Sequence, residues 1–592
     1  MGVPGFFAWI LKNFKKHILT KAIGKVDYLY IDANCLIHPE CFKILEALPE
    51  ETDVEKLENM MFARIINYLN YIEQFVNPAE LMYIAVDGSA PLAKIGQQRK
   101  RRFRSIDDVH ARNIVKRKHG RSINDCWTNT VITPGTDFME RLHNRLLEHY
   151  QARKKTQKSK IEYIYSSYHT AGEGEHKILQ HMRENRSNLN DGKKIVVYGL
   201  DADLIFLTMA SNEQNIYLLR EQFHLGGVLK KHDDELYDPV SDVAQELMYV
   251  SIKETKKAYN QQLLQIISTT QVPSEYLSNK NCLLNDPSVN FTDDLIFICF
   301  LLGNDFLPHF PSIYIHNDGM DMIINCYIQC VIETNKLLVQ RNEDKSITID
   351  HVFLIILFDM LGRIEYGYFR ESFPRHLKSN WSRSCNMHDE YSRDMWALEN
   401  LRDINVPDVV GLGIGEESEW KFRYYDHYFH TSEHQEDFIK VIAEEYLTGI
   451  AWVAKYYFQK CPDWRWQYPF EYAPFISDIA KYLIDTKCDI NKIKFVNNEP
   501  IPIMSQLLSV LPPQCSDLLP KTYKDLVTNP VSDIIDMFPK KIKLDMLYKF
   551  QHWQCTPLIP YLDIDRVLLA TGKKKMTTDE KLRSKMLEDL EF

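Results

Sequence analysis

The chain has 592 residues, of which 45% are hydrophobic and 12% aromatic, and its formal net charge at pH 7 is −10. This length exceeds what one ordinary hydrophobic core serves, so we expect two or more domains. No apolar run approaches the roughly 18 residues that a membrane span needs.

The twelve cysteines form no CxxC pair, and no signal peptide is recognised at the N-terminus. They therefore predict reduced thiols in an intracellular protein rather than a disulfide framework or a zinc site. The expected compartment is the cytoplasm, with the nucleus as the alternative.

The first two predicted strands each end at an acid. Residues 26–31 lead to Asp32, and residues 81–86 lead to Asp87, with an amphipathic helical pattern over residues 57–75 between them. Open α/β sheets bind ligands at the carboxyl ends of their strands. The two acids therefore predict a ligand site at that edge of a sheet.

A basic helix is predicted directly after the Asp87 strand. Residues 94–121 contain eleven Lys and Arg. Lys94, Gln98 and Arg101 are spaced i, i+4 and i+7 and therefore share one helix face, with Arg102 beside them. Such cations and an amide donor suit a terminal phosphate. From these residues alone, a solvated basic surface or a nuclear localisation signal over residues 99–104 explains the pattern equally well.

Further acids stand at predicted strand ends or helix boundaries later in the chain: Glu173, Glu175, Asp201, Asp203 and Asp305. The first two flank a glycine at a helix start. The next two follow a strand over residues 195–200, and the last follows an apolar helix that breaks at Gly303. Like charges placed as closely as the Asp201–Asp203 pair raise one pKa and destabilise the fold unless a cation lies between them.

Any one of the seven acids has a structural explanation, such as a helix cap. Several strand-end acids following one another along an α/β chain are instead typical of a two-metal phosphodiesterase. The all-oxygen ligand set fits two Mg²⁺ (or Mn²⁺) ions, and no His or Cys spacing indicates zinc.

These motifs, in this order, resemble those of the Xrn-type 5′→3′ exoribonucleases, a family of the flap-endonuclease-like (PIN-like) nuclease superfamily. The matching segments are residues 1–4 with 6–7, 32–38, 87–88 with 97–104, 172–177, 198–204 and 303–309. In the second half, the segments that resemble the family's second conserved region are residues 420–421 with 423–425, 449–452, 456–457, 464–466, 468–474, 510–512, 518–520 and 553–554. Nearly the whole chain is covered, which implies a compact member lacking the long C-terminal extension of larger relatives.

The resemblance also implies roles for individual residues. In the family, the seven matched acids hold the metal ions, and residues matching Lys94, Gln98, Arg101 and Arg102 bind the 5′-monophosphate. A histidine matching His38 and a tryptophan of the motif containing Trp464 and Trp466 sandwich the terminal bases, an interaction that is blind to base sequence. Without the resemblance, His38 would be interpreted as a structural histidine and the two tryptophans as core residues.

The expected fold is α/β. A mainly parallel sheet forms a nuclease core over residues 1–315, and a mostly helical second conserved region over residues 316–592 completes the active-site pocket. The implied function is processive 5′→3′ hydrolysis of 5′-monophosphorylated single-stranded RNA to nucleoside 5′-monophosphates by a monomer that does not associate with membranes.

Two alternatives are open. A structure-specific flap-type DNA endonuclease would have a Gly-rich helix-hairpin-helix soon after the last acid, whereas the only similar run here, residues 411–415, lies about a hundred residues later. A catalytically inactive RNA-binding scaffold would gain nothing from carboxylates clustered near phosphates.

Overall fold

The computed structural model describes residues 6–123, 126–156, 161–185, 192–201, 203–222, 237–314, 319–381, 385–401, 404 and 406–592. The motif at residues 1–4 and Ala202, between the paired acids, lie outside the described residues.

Strands are numbered in chain order. They are β1 (Leu19–Thr20), β2 (Val26–Asp32), β3 (Pro78–Ala85), β4 (Glu162–Ser166), β5 (Ile195–Tyr198), β6 (Ile216–Glu221), β7 (Leu247–Ser251), β8 (Val339–Arg341), β9 (Ile347–Ile349), β10 (Lys543–Asp545), β11 (Thr556–Leu558) and β12 (Leu590–Glu591).

The α-helices are numbered likewise. They are α1 (Phe6–Ile18), α2 (Asn34–Ala47), α3 (Val54–Val76), α4 (Leu92–Lys118), α5 (Asp137–Thr156), α6 (Gly174–Glu184), α7 (Asp203–Ala210), α8 (Ile252–Thr269), α9 (Leu277–Asn285), α10 (Thr292–Cys299), α11 (Gly319–Thr334), α12 (His351–Gly367), α13 (Phe373–Trp381), α14 (Glu390–Asn400), α15 (Glu417–Phe429), α16 (Gln435–Phe458), α17 (Ile476–Thr486), α18 (Ile503–Val510), α19 (Lys521–Thr528), α20 (Ile564–Gly572) and α21 (Thr578–Arg583).

The chain forms two compact units that are interleaved along the sequence. We call Leu11–Thr255, Asn498–Ile542 and Ile559–Phe592 the sheet unit, and Met1–Ile10, Lys256–Asn497 and Lys543–Leu558 the helical unit. The domain boundary expected at residue 315 is not tested by this division and stays a prediction.

The sheet unit contains one sheet with the strand order β1-β7-β6-β5-β2-β3-β4-β12. The five central strands, β6 to β4 in that order, are parallel to their neighbours, whereas β1, β7 and β12 pair antiparallel at the two sides. This confirms the α/β fold with a mainly parallel sheet. Because parallel strands run the same way, the segments that follow β2, β3, β4 and β5 all begin at one edge of the sheet.

Helices pack on the sheet and bury most residues of its central strands. All but one of the β2 residues are buried, as expected for a parallel strand covered on both faces. Residues of α2 and α3 share one core cluster with β2. Residues of α4 pack with α18 and α20 in another, which makes the C-terminal segments part of the sheet unit.

The helical unit has its own aromatic core, in which Trp420 packs against Phe369 and Phe475 with ring centroids 5.2 Å apart in each pair. Cys326 and Cys330 are buried on α11, as an apolar helical segment requires. None of the described helices combines the length and the apolar character that crossing a membrane needs.

Candidate active site

Two acids stand at the ends of neighbouring parallel strands in the sheet unit. Asp32 is the last residue of β2, and Asp87 follows β3 by two residues. Asn34 fixes the second acid, because its side chain donates to Asp87 Oδ2 at 2.9 Å and accepts from the Asp87 backbone N–H at 3.1 Å. The sequence placed both acids correctly at the strand ends.

The loop that leads into α6 approaches these acids closely. The Gly174 N–H donates to Asp87 Oδ1 at 2.7 Å. A Cβ atom at Gly174 would lie 2.8 Å from Asp32 Oδ1 and 3.4 Å from Asp87 Oδ1, so a side chain at this position would fill the space between the two carboxylates. Glycine is therefore required between Glu173 and Glu175.

Burial and mutual repulsion perturb the acids at this edge. Burial, and next the charges of Asp87 and Asp201, raise the pKa of Asp32 to about 7. Burial, and next Asp201 and Asp203, raise the pKa of Glu175 well above its usual value. Six predicted acids, the five above and Glu173, thus share one electrostatic environment, as clustered like charges require.

The carboxylate oxygens fit a divalent cation that prefers oxygen ligands. Asp32 Oδ1 and Glu175 Oε2 are buried without a hydrogen-bond partner among the described atoms, and a donor set of carboxylates suits Mg²⁺ or Mn²⁺. Within the described ranges, however, no three acidic, His or Cys side chains are arranged to enclose an ion. Part of the acidic charge is met by Lys94, whose Nζ lies 2.5 Å from Glu173 Oε2.

The four predicted phosphate-binding residues lie on α4, where Lys94 and Gln98 are buried, Arg102 is half-buried and Arg101 is exposed. Arg102 Nη2 donates to Thr133 Oγ1 at 2.8 Å. Arg102 Nη1 and Gln98 Oε1 are buried and make no hydrogen bond within the described structure. Since buried polar groups normally find a partner, these two atoms could form hydrogen bonds with a polar ligand.

The basic run is not a uniformly solvated surface. Arg99 is 2% exposed; it donates to the carbonyls of Ser509 and Met537 and packs over the rings of Phe103 and Phe538. The interpretation as a solvated helix is therefore wrong for this residue, which belongs to the core of the sheet unit.

His38 lies on α2 beside the basic face of α4. Burial, and next the charges of Arg101 and Arg102, lower the pKa of His38 to about 4. Its imidazole is therefore neutral at pH 7. A neutral ring next to two guanidinium groups is compatible with base stacking.

Two residues of this site, Lys177 and Thr133, were not among the predicted site residues, although Lys177 lies in the matching segment 172–177. Lys177 on α6 donates to the backbone carbonyls of Val86 and Ser167, both at 2.7 Å, and burial lowers its pKa to about 7. Thr133 holds Arg102 as described above. The motif marked the position of Lys177 but not its contacts, and a threonine in a loop is too common to be singled out by pattern.

In the helical unit, Asp305 lies in a tight turn after a 3₁₀ helix (Phe300–Leu302). Asn304 Oδ1 accepts from the N–H groups of Phe306 and Leu307, both at 2.9 Å. Gly303 has φ 88°, and a Cβ there would lie 2.9 Å from His309, so the turn depends on glycine. The turn leaves Asp305 half-buried.

The two predicted stacking tryptophans, also in the helical unit, have different surroundings. Trp466 stacks on the buried Trp452, with ring centroids 5.2 Å apart and an interplanar angle of 24°. Trp464 is half-buried and has no such ring partner in the part of the chain that the structure describes. The sequence motif could not separate these two environments.

Comparison with known proteins agrees with this description. A family model described as "XRN 5'-3' exonuclease N-terminus" matches residues 1–222, and one described as "Xrn1 helical domain" matches residues 289–408 and 399–592. Among similar proteins, the 5'-3' exoribonuclease 2 of Candida albicans is 28% identical over 99% of this chain and 74% of its own length. That of Gallus gallus is 28% identical over 100% and 72%.

The 5'-3' exoribonuclease 1 of Homo sapiens is 29% identical over 100% of this chain, and the match covers 35% of that longer protein. The helical-domain model alone covers more than half of the chain, and the N-terminal model covers most of the sheet unit. The chain therefore belongs to the XRN 5′-3′ exonuclease family.

Proposed function

We propose that the chain is a processive 5′→3′ exoribonuclease that hydrolyses 5′-monophosphorylated single-stranded RNA to nucleoside 5′-monophosphates. The observation that carries the proposal is the contact of Lys94 Nζ with Glu173 Oε2 at 2.5 Å. It places the first residue of the basic face of α4 directly against the acidic cluster. A phosphate bound on that face is thereby held at a fixed distance from the acids, which favours cleavage one nucleotide from the end.

In the sheet unit the proposed metal ligands are Asp32, Asp87, Glu173, Glu175, Asp201 and Asp203. Two Mg²⁺ or Mn²⁺ ions bound there would activate the attacking water and stabilise the charge on the departing 3′-oxygen. The protein's own contribution is to orient the carboxylates, as Asn34 and Gly174 do for Asp87. The role of Asp305 as a metal ligand, that of Trp464 or Trp466 as a stacking residue, and the pocket-completing role of the second region rest on the sequence resemblance.

Lys94, Gln98, Arg101 and Arg102 form the proposed clamp for the 5′-monophosphate. Hydrogen bonds between cations and phosphate are roughly twice as strong as neutral ones, so a 5′-hydroxyl end should bind poorly. A 5′-triphosphate should be refused for lack of room beyond the pocket. The neutral ring of His38, beside the clamp, would stack on a terminal base without reading its identity.

The test compares RNAs of one sequence that carry a 5′-monophosphate, a 5′-hydroxyl or a 5′-triphosphate with the matching DNA, with and without Mg²⁺. We expect rapid release of nucleoside monophosphates only from the first, and only with Mg²⁺. Asp203→Ala should abolish cleavage while RNA binding persists. Arg101→Ala and Arg102→Ala should lose the preference for the monophosphate.

Several outcomes would contradict the proposal. Equal wild-type rates on monophosphate and hydroxyl ends would leave α4 as a general RNA-binding surface. Internal cuts in a DNA flap would favour the endonuclease alternative. Binding of RNA without any metal-dependent cleavage would favour the inactive scaffold.

A further inference from the structure

We infer that Thr133 is a positioning residue that orients Arg102 and thereby determines how strongly the protein selects a 5′-monophosphate. The inference rests on the proposed function, because Arg102 belongs to the proposed phosphate clamp. Thr133 itself cannot touch RNA, since it is fully buried.

The hydrogen bonds of Thr133 fix the direction of its hydroxyl group. Thr133 Oγ1 donates to the carbonyl of Thr130 at 2.7 Å, which uses its one hydrogen atom. Its lone pairs then accept from Arg102 Nη2 at 2.8 Å. A hydroxyl so constrained acts as a dedicated acceptor for the guanidinium group.

The loop that carries Thr133 is itself rigidly held. It runs from a 3₁₀ helix (Asn129–Val131) to the start of α5. The Thr136 N–H donates to the Thr133 carbonyl at 3.2 Å, and Thr136 Oγ1 donates to the Val131 carbonyl at 2.5 Å and accepts from the Met139 N–H at 3.3 Å. The next anchor is Arg583, whose Nη1 donates to the Gly135 carbonyl at 2.6 Å. The acceptor therefore stays in place when Arg102 binds a ligand.

Arg102 is anchored on one side and open on the other. While Nη2 is bonded to Thr133, Nη1 is buried without a hydrogen-bond partner among the described atoms. A guanidinium presents its N–H groups in a rigid planar fork, so fixing one nitrogen fixes the direction of the other. The anchored side chain has less rotamer freedom to lose when phosphate binds.

The substitution Thr133→Val removes the hydroxyl and keeps the shape of the side chain. Because a hydrogen bond to a charged group contributes about a factor of ten or more, we expect the ratio of kcat/KM for 5′-monophosphate over 5′-hydroxyl RNA to fall about tenfold. The loss should lie mainly in KM for the monophosphate, with the hydroxyl substrate unaffected. Thr133→Ser, which keeps the hydroxyl, should restore the wild-type ratio.

A matched control is Thr255→Val, which removes a buried threonine hydroxyl that donates to the Ser251 carbonyl at 2.7 Å and lies outside this loop. It should lower the Tm and leave the ratio unchanged. In an Arg102→Lys background, Thr133→Val should have no further effect on the ratio, because the coupled group is gone. If Thr133→Val does not fold, Thr133→Ala removes the same hydroxyl with a smaller side chain.

The inference is overturned if Thr133→Val lowers the Tm but leaves the ratio at the wild-type value, or if both substrates slow equally. It is also overturned if the Thr133→Val effect persists in full with Lys at position 102. A wild-type protein that does not distinguish the two ends would instead refute the phosphate clamp itself. That result needs no variant, so the two failures can be told apart.

Discussion

The ammonium group of Lys177 donates a hydrogen bond of 2.7 Å to the backbone carbonyl of Val86, the residue before Asp87. Lys177 lies on α6, the helix that also carries Glu175. Its second hydrogen bond, to the Ser167 carbonyl at 2.7 Å, ties in the end of β4. One buried lysine therefore fixes two strand ends relative to the helix that bears Glu175 and begins directly after Glu173.

We predict that Lys177→Met lowers kcat at least tenfold and raises the Mg²⁺ concentration needed for half-maximal activity. Two carbonyls lose a donor, which also costs about 1–3 kcal/mol of stability. Initial rates over a Mg²⁺ titration, with thermal melting alongside, measure both effects.

The matched control is Lys193→Met, which removes a lysine that is paired with Glu80 and half-buried. Its effect on stability should be small, and its Mg²⁺ requirement should be that of the wild type. A Lys177→Met protein with reduced Tm but the wild-type Mg²⁺ requirement would show that Lys177 supports only the fold.

A second prediction concerns Asp32, whose pKa is raised to about 7 by burial and then by Asp87 and Asp201. An acid whose folded pKa lies above its unfolded value of about 3.9 destabilises the fold once it is ionised. At pH 8 without divalent ions, Asp32→Asn should therefore raise the free energy of unfolding by about 2–4 kcal/mol. The same change should abolish cleavage and weaken the stabilisation by added Mg²⁺.

Chemical denaturation in EDTA and in Mg²⁺ measures this trade-off. Asp107→Asn, at an exposed position of α4, is the control and should be neutral in both conditions. If Asp32→Asn does not raise the free energy of unfolding in EDTA, then burial and the neighbouring acids do not destabilise the ionised carboxylate of Asp32. That result would count against the metal-site assignment.

The sequence predicted the sheet edge well because strand ends are marked locally. Asp32 and Asp87 each follow an apolar run, and parallel strands bring such ends together whatever their separation along the chain. The contact between Lys94 and Glu173 could not be predicted from the sequence. It joins residues far apart in the chain, and their distance depends on how α4 and α6 pack.

Helical phase explains why the basic run was only partly understood. Arg99 and Arg102 are three positions apart in a run of cations, and composition does not distinguish them. The structure buries Arg99 between Phe103 and Phe538, residues that no local pattern connects, while Arg102 contacts Thr133. Arg99 can be assigned to the core and Arg102 to the site only when the position of the C-terminal segments is known.

A third prediction concerns pH and the stability of the sheet unit. His143 is 6% exposed, its ring stacks on Tyr165 at 5.6 Å, and the ring of His169 lies 5.0 Å away. Burial, and next His169, lower the pKa of His143 to about 4, against the opposing effect of Glu140. At a pH between about 4 and about 6.5, His143 therefore stays neutral in the folded protein, whereas it binds a proton in the unfolded chain.

The free energy of unfolding should therefore fall as the pH decreases from about 6.5 to about 4, by up to about 3 kcal/mol for this residue. His143→Phe keeps a ring against Tyr165 and should make the pH dependence shallower by about one proton, whereas His110→Phe, at an exposed position, should not. Urea denaturation at several pH values provides the slopes. An unchanged slope in His143→Phe would show that His143 is protonated in the folded state.

The last prediction separates the two tryptophans of the helical unit. Trp466 stacks on Trp452, and a Cβ at Gly449 would lie 3.1 Å from its ring, so Trp466→Ala should cost about 2–3 kcal/mol of stability. Trp464 is also half-buried but has no such ring partner among the described residues, so Trp464→Ala should cost less stability, about 1 kcal/mol. We expect Trp464→Ala instead to shorten the run of nucleotides removed per binding event, because base stacking contributes roughly 1–3 kcal/mol per base and must hold the strand between cuts.

A processivity assay with excess unlabelled RNA as a trap measures the run length, and Trp464→Phe, which retains a stacking face, should recover most of it. If Trp464→Ala keeps the wild-type run length while Trp466→Ala shortens it at equal Tm, the assignment of the two residues is reversed.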